Sequence, residues 1–308
     1  MNQHIVQTEK LSFSYSKDKK EVDNLQLKVP QGSIYGFLGP NGAGKSTTIR
    51  LLLGLLKKQS GSVFLFGKEV SSSTRIESLS KIGALIETPS LYDHLTAFEN
   101  LKISLHYRQE KSLERIDEIL EIVKLSHVKN KKVKTFSLGM KQRLGIGISL
   151  LSNPELIILD EPTNGLDPKG IIEMRSLIKR LNSEYGTTIF ISSHLLSEIE
   201  KTCTHVGVIR AGEMLYQGTV SAMKNFMSDS ITVAIEVVQT KLAISLLKQT
   251  YSHVIIDDDD CIQVELSHKN EISIILDLLR ANDVLVYQIS IKNNLEDIFL
   301  SLTEQSAV

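Results

Sequence analysis

Three short stretches of this sequence carry residue types suited to phosphate chemistry. The first, Gly39 to Thr47, fits G-x-x-x-x-G-K-[ST]. Phosphates carry negative charge that donors must meet at close range. Glycines let backbone N–H groups approach, and the helix that follows adds the positive end of its dipole. Gly39, Asn41, Gly42, Ala43, Gly44 and Thr47 would form the cradle. Lys45 supplies a point charge to the β- and γ-phosphates, and Ser46 offers a hydroxyl to Mg²⁺. By chance the pattern arises in about 1% of chains of this length.

The second stretch, Leu156-Ile-Ile-Leu159-Asp160-Glu161, is an apolar strand ending in two carboxylates. Asp160 would hold Mg²⁺, directly or through water, at the carboxyl end of the strand, where α/β sites lie. Glu161 would act as general base on the attacking water. Strands often end in an acid at the surface, so this motif gains its specificity from the phosphate loop before it and from Pro162-Thr-Asn-Gly-Leu-Asp-Pro168 after it. The third is His194, just past the β-rich run Thr188–Ser193. A lone histidine is more often structural. At a strand end of the same sheet, its neutral imidazole can bridge phosphate, water and Glu161.

Particular elements must position these groups. Ile34–Leu38 reads as a short strand entering the Gly-rich loop, and Ser46 to about Leu56 as the helix leaving it. Ile5–Thr8, Leu11–Tyr15 and Leu25–Val29 alternate as strands, with a polar turn at Lys17–Lys20. Leu95 to about Leu125 is helical in two segments that join near Glu110. Leu156–Leu159 and Thr188–Ser192 are strands followed by helical patterns. This alternation predicts a mostly parallel sheet covered on both faces, an α/β fold. Beyond Gly218 the order becomes strand (Ile231–Val237), helix (Leu242–Gln249), strand (Ser252–Ile256), strand (Ile262–Leu266), helix (Asn270–Ala281), strand (Leu285–Ile291) and a helix from Leu295. That order predicts a small α+β ferredoxin-like domain. The acidic run Asp257–Asp260 reads as a solvated hairpin tip, because consecutive carboxylates alternate sides and lack further spaced ligands.

Composition limits the function. The chain has 308 residues, 42% of them hydrophobic and 23% charged, enough for about two domains. The net charge of −1 favours neither nucleic acid nor an acidic membrane surface. Two cysteines far apart, Cys203 and Cys261, fit a reducing compartment. There is no basic-then-apolar leader pattern, and no apolar run approaches the ~18 residues of a spanning helix. Work at a membrane would therefore mean docking on partner subunits.

The assembled motifs resemble the nucleotide-binding subunits of ATP-binding-cassette (ABC) transporters over residues 4 to about 220. The family's signature, usually Leu-Ser-Gly-Gly-Gln, reads Phe136-Ser-Leu-Gly-Met140 here. The resemblance implies that Ser137 and the Gly139 backbone meet the γ-phosphate bound by another subunit, that Asp167 belongs to a loop crossing the dimer interface, and that Tyr15 stacks on adenine. A core aromatic at a strand end is the plain alternative for Tyr15. Glu87, in Ile82-Gly-Ala-Leu-Ile-Glu-Thr-Pro89, stands where the family has a metal-sensing Gln. A carboxylate there still faces metal and water, and it adds negative charge.

Together with the stretches at 136–146, 164–168 and 191–200, Glu87 resembles the bacitracin-resistance and lantibiotic-immunity exporters. Leu295-Glu-Asp-Ile-Phe299 is similar to the tail of drug-exporter cassettes. The implied architecture is a nucleotide-binding domain over 1–220, with an antiparallel β subdomain and a helical subdomain at about 88–152, and an accessory domain over 221–308. The implied chemistry is ATP hydrolysis with Mg²⁺. The implied partners are a second copy of the chain and separate membrane permeases, of the ABC-2 type, at the inner face of the cell membrane. Within transporters, an exporter or importer of another substrate is the alternative, and a translation or DNA-repair ATPase is the rival class. That rival is disfavoured by the single cassette, by the absence of sustained heptads between Lys45 and Ser137, and by the neutral charge.

Overall fold

Three strands with every residue buried lie at the centre: β4 (Ile34–Leu38), β8 (Leu156–Asp160) and β9 (Thr188–Ser193). Near-continuous apolar runs are what a parallel sheet covered on both faces requires. The computed structural model describes residues 4–16, 19–107, 113–225, 231–256 and 261–291. The chain divides into two compact units, Met1–Val220 and Ser221–Val308.

In the first unit, β4, β8 and β9 belong to a six-stranded sheet with β7 (Ile82–Leu85), β10 (His205–Arg210) and β11 (Glu213–Thr219). Its order is β11-β10-β4-β9-β8-β7. All neighbours run parallel except the edge hairpin β10–β11. The register sets Leu38 beside Ser193 and Asp160 beside Ser192. The carboxyl ends of β4, β9 and β8 therefore lie along one edge of the sheet.

An antiparallel sheet forms from β1 (His4–Phe13), β2 (Val22–Leu25), β3 (Lys28–Pro30), β5 (Ser60–Leu65) and β6 (Lys68–Glu69). The two strands expected at Ile5–Thr8 and Leu11–Tyr15 are one. Lys10 takes a left-handed φ of 48°, and the register to β5 shifts there. Such a bulge breaks the alternation and makes one strand read as two. The run expected at Leu25–Val29 divides between β2 and β3.

The helices are α1 (Lys45–Leu52), α2 (Arg75–Ser80), α3 (Ala97–Tyr107), α4 (Glu114–Ile122), α5 (Leu138–Leu150), α6 (Pro168–Tyr185), α7 (Leu196–Thr202) and α8 (Val220–Asn225). In α4 the apolar spacing buries Ile116, Ile119 and Leu120. Its last carbonyls are met from two neighbours: Arg143 of α5 donates to the carbonyls of Val123 and Lys124, and Arg180 of α6 to that of Ile122. Cations at a helix carboxyl end complement its dipole.

The second unit runs β12 (Ile231–Val237), α9 (Thr240–Leu247), β13 (Val254–Ile256), β14 (Ile262–Leu266), α10 (Glu271–Ala281) and β15 (Val286–Ile291). Its antiparallel sheet has the order β13-β14-β12-β15. Val233, Ile235, Val264, Leu247, Ile275 and Leu279 form its core. The Asp257–Asp260 turn, the helix from Leu295 and the junction at Glu110 lie outside the described residues.

Candidate functional site

β4 ends at Leu38, and the chain turns through the Gly-rich loop into α1. Gly42 and Gly44 hold left-handed φ values of 80° and 102°. A Cβ on Gly44 would lie 2.2 Å from the Glu21 carbonyl oxygen, and one on Gly39 would lie 2.4 Å from that of Ile209. Only glycine fits at either position. The first-turn amides of α1 have no partner within their own helix. Residues 45–47 open on a pocket of about 400 Å³. Lys45 is 6% exposed. Its ammonium donates to the carbonyls of Gly39 (2.7 Å) and Pro40 (3.2 Å), and lies 3.3 Å from Glu161 Oε1.

Asp160 and Glu161 share one small polar support. The Ser192 hydroxyl donates to Asp160 Oδ1 at 2.5 Å and accepts the Glu161 N–H at 2.9 Å. Asp160 is 3% exposed. Glu161 is held at a left-handed φ of 49°, a conformation that persists only when its surroundings fix it. The Glu161 carbonyl also accepts the Asn164 N–H at 3.0 Å. His194 Nδ1 lies 2.8 Å from Glu161 Oε2. One carboxylate is thus gripped between an ammonium and an imidazole.

The pocket is lined by Asn41, Gly42, Gly44, Lys45, Ser46, Thr47, Glu161 and His194, together with Lys19, Glu21 and Asn164. Residues far apart in sequence meet here as the strand-end register requires. Lys19, Glu21, Asn164 and Ser192 are site residues that the sequence reading did not single out. Asn164 stood within a quoted motif. Ser192 gains meaning only once β9 is known to pair with β8.

The remaining candidates lie outside this pocket. Tyr15 is 57% exposed and makes an edge-on contact with Phe13 at 4.9 Å, so it is not a core aromatic. Glu87, at a φ of 59°, forms an ion pair with Arg50 of α1 instead of facing the pocket. The Arg50 guanidinium is pushed above its ordinary value, first by a hydrogen bond with the Tyr15 side chain and then, against some burial, by the charge of Glu87. Ser137 is the exposed N-cap of α5, where its hydroxyl accepts the Met140 N–H at 3.3 Å. Asp167 caps α6 through the Gly170 N–H at 3.0 Å. Gly139 lies beside Leu166, and Leu138 lies over Gly165, so these two loops touch.

The geometry fits a phosphate chain: glycine-opened amides, a helix N-terminus and a buried ammonium converge. It also fits a hard cation shared with that chain. The Ser46 hydroxyl and the Asp160 carboxylate are oxygen donors, and among the described residues no group of three or more His, Cys, Asp or Glu could hold an ion unaided. Binding through one or two protein oxygens plus substrate phosphates is the usual mode of Mg²⁺. Strand, Gly-rich loop and helix, with a buried carboxylate at the end of β8, one strand beyond β9, define a P-loop nucleoside triphosphatase domain.

A family model described as "ABC transporter" matches residues 22–164. A second, described as "AAA domain, putative AbiEii toxin, Type IV TA system", matches the shorter span 130–200. The "Bacitracin transport ATP-binding protein BcrA" of Bacillus licheniformis is 54% identical over 211 residues, 68% of each chain. The "Lantibiotic transport ATP-binding protein SrtF" of Streptococcus pyogenes is 43% identical over 221 residues, 72% of this chain and 93% of its own length. Among solved structures, cbiO1 of Clostridium perfringens, part of the ABC transporter complex cbiONQ, matches at a TM-score of 0.65 and 29% identity, over 71% of this chain and 89% of that one. The chain belongs to the ATP-binding proteins of ABC transporters. No helix among the described residues is long and apolar enough to cross a membrane.

Proposed function

We propose that this chain hydrolyses ATP to power export of an antimicrobial peptide of the bacitracin or lantibiotic type through separate permease subunits. The observation that carries the hydrolytic reading is the grip on Glu161, between Lys45 at 3.3 Å and His194 at 2.8 Å, at the mouth of the glycine loop. Glu161 accepts the proton of the attacking water, and His194 orients that carboxylate and reaches toward the γ-phosphate. Lys45 exchanges its carbonyl partners for phosphate oxygens. Ser46 and Asp160 would hold Mg²⁺, which supplies charge neutralisation on the phosphates.

Exposed Ser137 and Asp167, with half-buried Gly139, serve the site of a second copy in a head-to-tail homodimer, and Tyr15 offers its open face to adenine. The peptide substrate rests on likeness to the bacitracin and lantibiotic relatives, and peripheral attachment at the inner membrane face follows from the need for permeases. ABC-2 permeases are the partner class we favour. The unit 221–308 is read as a ferredoxin-like accessory domain that adds contact area.

Purification of the tagged chain after co-expression with its genomic neighbours tests this reading. A co-purifying multi-span protein, with ATPase activity stimulated by bacitracin or a lantibiotic, is the expected result. A permease without peptide stimulation overturns the substrate. Association with ribosomes or DNA instead overturns transport.

A further inference from the structure

Arg50 is an unassigned residue that joins the phosphate-loop helix to the Glu87 loop. It stands on α1 four residues after Ser46, so the two share one helix face, a turn apart. Its guanidinium pairs with Glu87. Asp160 is also among the charges it senses. The Glu87 backbone takes a left-handed φ, 59°, that a non-glycine residue adopts only under constraint. The loop after it is pressed against α5, where a Cβ on Gly145 would lie 2.7 Å from Pro89 Cβ.

Position 87 is two residues past the end of β7, which pairs with the strand that carries Asp160, so a carboxylate there adds negative charge near a site built for phosphates. Left free, it would repel the triphosphate. Paired with Arg50, its charge is met, and it is held one turn below Ser46.

We propose that Arg50 is a positioning residue that parks Glu87 on the phosphate-loop helix and neutralises it there. This inference rests on the nucleotide-site reading above. The pair works as a latch. Glu87 turns toward the Ser46–Asp160 face only by leaving Arg50, so the two orientations of the loop compete for one cation. A guanidinium suits this role because its planar fork can grip a carboxylate through two N–H groups, whereas an ammonium is a single point of charge.

The test is a double-mutant cycle on the full chain with MgATP as the probe: wild type, Arg50→Ala, Glu87→Gln and the double variant. Arg50→Ala raises the KM for MgATP about threefold, the scale of a partly exposed ion pair, with a smaller change in kcat. In the Glu87→Gln background the same change leaves KM within error, because no charge remains to be parked. Arg50→Lys recovers only part of the loss. Equal effects of Arg50→Ala in both backgrounds, or no effect in the wild-type background, overturn the latch. Lys45→Ala is run in parallel: if it binds nucleotide like wild type, the site reading itself falls, and if it loses binding while the cycle is additive, only the latch falls.

Discussion

Glu161 shows how much a single side chain depends on its neighbours. Its carboxylate lies between Lys45 and His194, and its N–H is fixed by Ser192. Replacing Glu161 by Gln keeps the shape and the backbone hydrogen bond to Ser192, but turns one carboxylate oxygen into an NH2 donor and removes the proton acceptor. Nucleotide binding should persist while hydrolysis falls about 10²–10⁴-fold, the range attributed to a general base. Single-turnover hydrolysis at the wild-type rate would show that another group takes the proton. Ser192→Ala leaves Asp160 buried without its donor and the Glu161 N–H without its acceptor. An unmet buried partner costs about 1–3 kcal/mol, so denaturant unfolding should show a lower midpoint, and kcat should fall as Glu161 loses its fixed backbone. Burial raises the Cys203 thiol far above the ordinary range. Thiol-reactive probes should therefore leave it unlabelled in the folded chain.

At the scale of elements, α5 is where packing and chemistry meet. Ser137 begins it and Gly145 lets Pro89 and Leu85 approach its backbone, with distances of 2.7 and 3.0 Å to the nearest atoms of an added Cβ. Ser137→Ala should lower stability by about 1 kcal/mol through the lost cap, read as a fall in Tm. It should also lower the ATPase rate if the exposed N-terminus of α5 meets a nucleotide on a second copy. Gly145→Ala inserts a methyl into occupied space. It should cost about 1–3 kcal/mol by overpacking and displace the Glu87 loop, so KM for MgATP should rise along with the fall in Tm. An unchanged KM in a folded Gly145→Ala protein would show that the loop is not braced by α5.

For the whole molecule, the two units have separate cores, and a lantibiotic-transport relative is matched over 93% of its length by 221 residues of this chain. A fragment ending at Asn225 should therefore unfold in one cooperative transition and bind ATP as the full chain does. Loss of either would show that residues beyond it complete the first unit. Ser137, Leu138 and Asp167 are exposed and do not line the pocket of their own chain. Glu161→Gln protein with MgATP should then elute as a dimer in gel filtration, and revert to monomer with ADP. A monomer under both conditions would remove the shared-site arrangement.

The glycine loop, the acid pair and His194 were legible in the sequence because phosphate chemistry constrains residue type at fixed local spacing. The strands around them were legible because wholly buried strands read as apolar runs, as in Leu156–Leu159 and Thr188–Ser192. In the second unit, Ile231–Val237 and Ile262–Leu266 were readable from alternation alone. Other features depended on distant pairing. The bulge at Lys10 merged two apparent strands, and the β10–β11 hairpin gave no sharp local signal. Ser192 became a support only through its register with Asp160, and Arg50 a partner of Glu87 only once the loop after β7 lay against α1. Sequence by itself determined which residue types stand ready for phosphate, since that demand is chemical and local. Tertiary structure alone decided which charges offset one another, since electrostatic partners are chosen by distance in space, over separations the chain does not record.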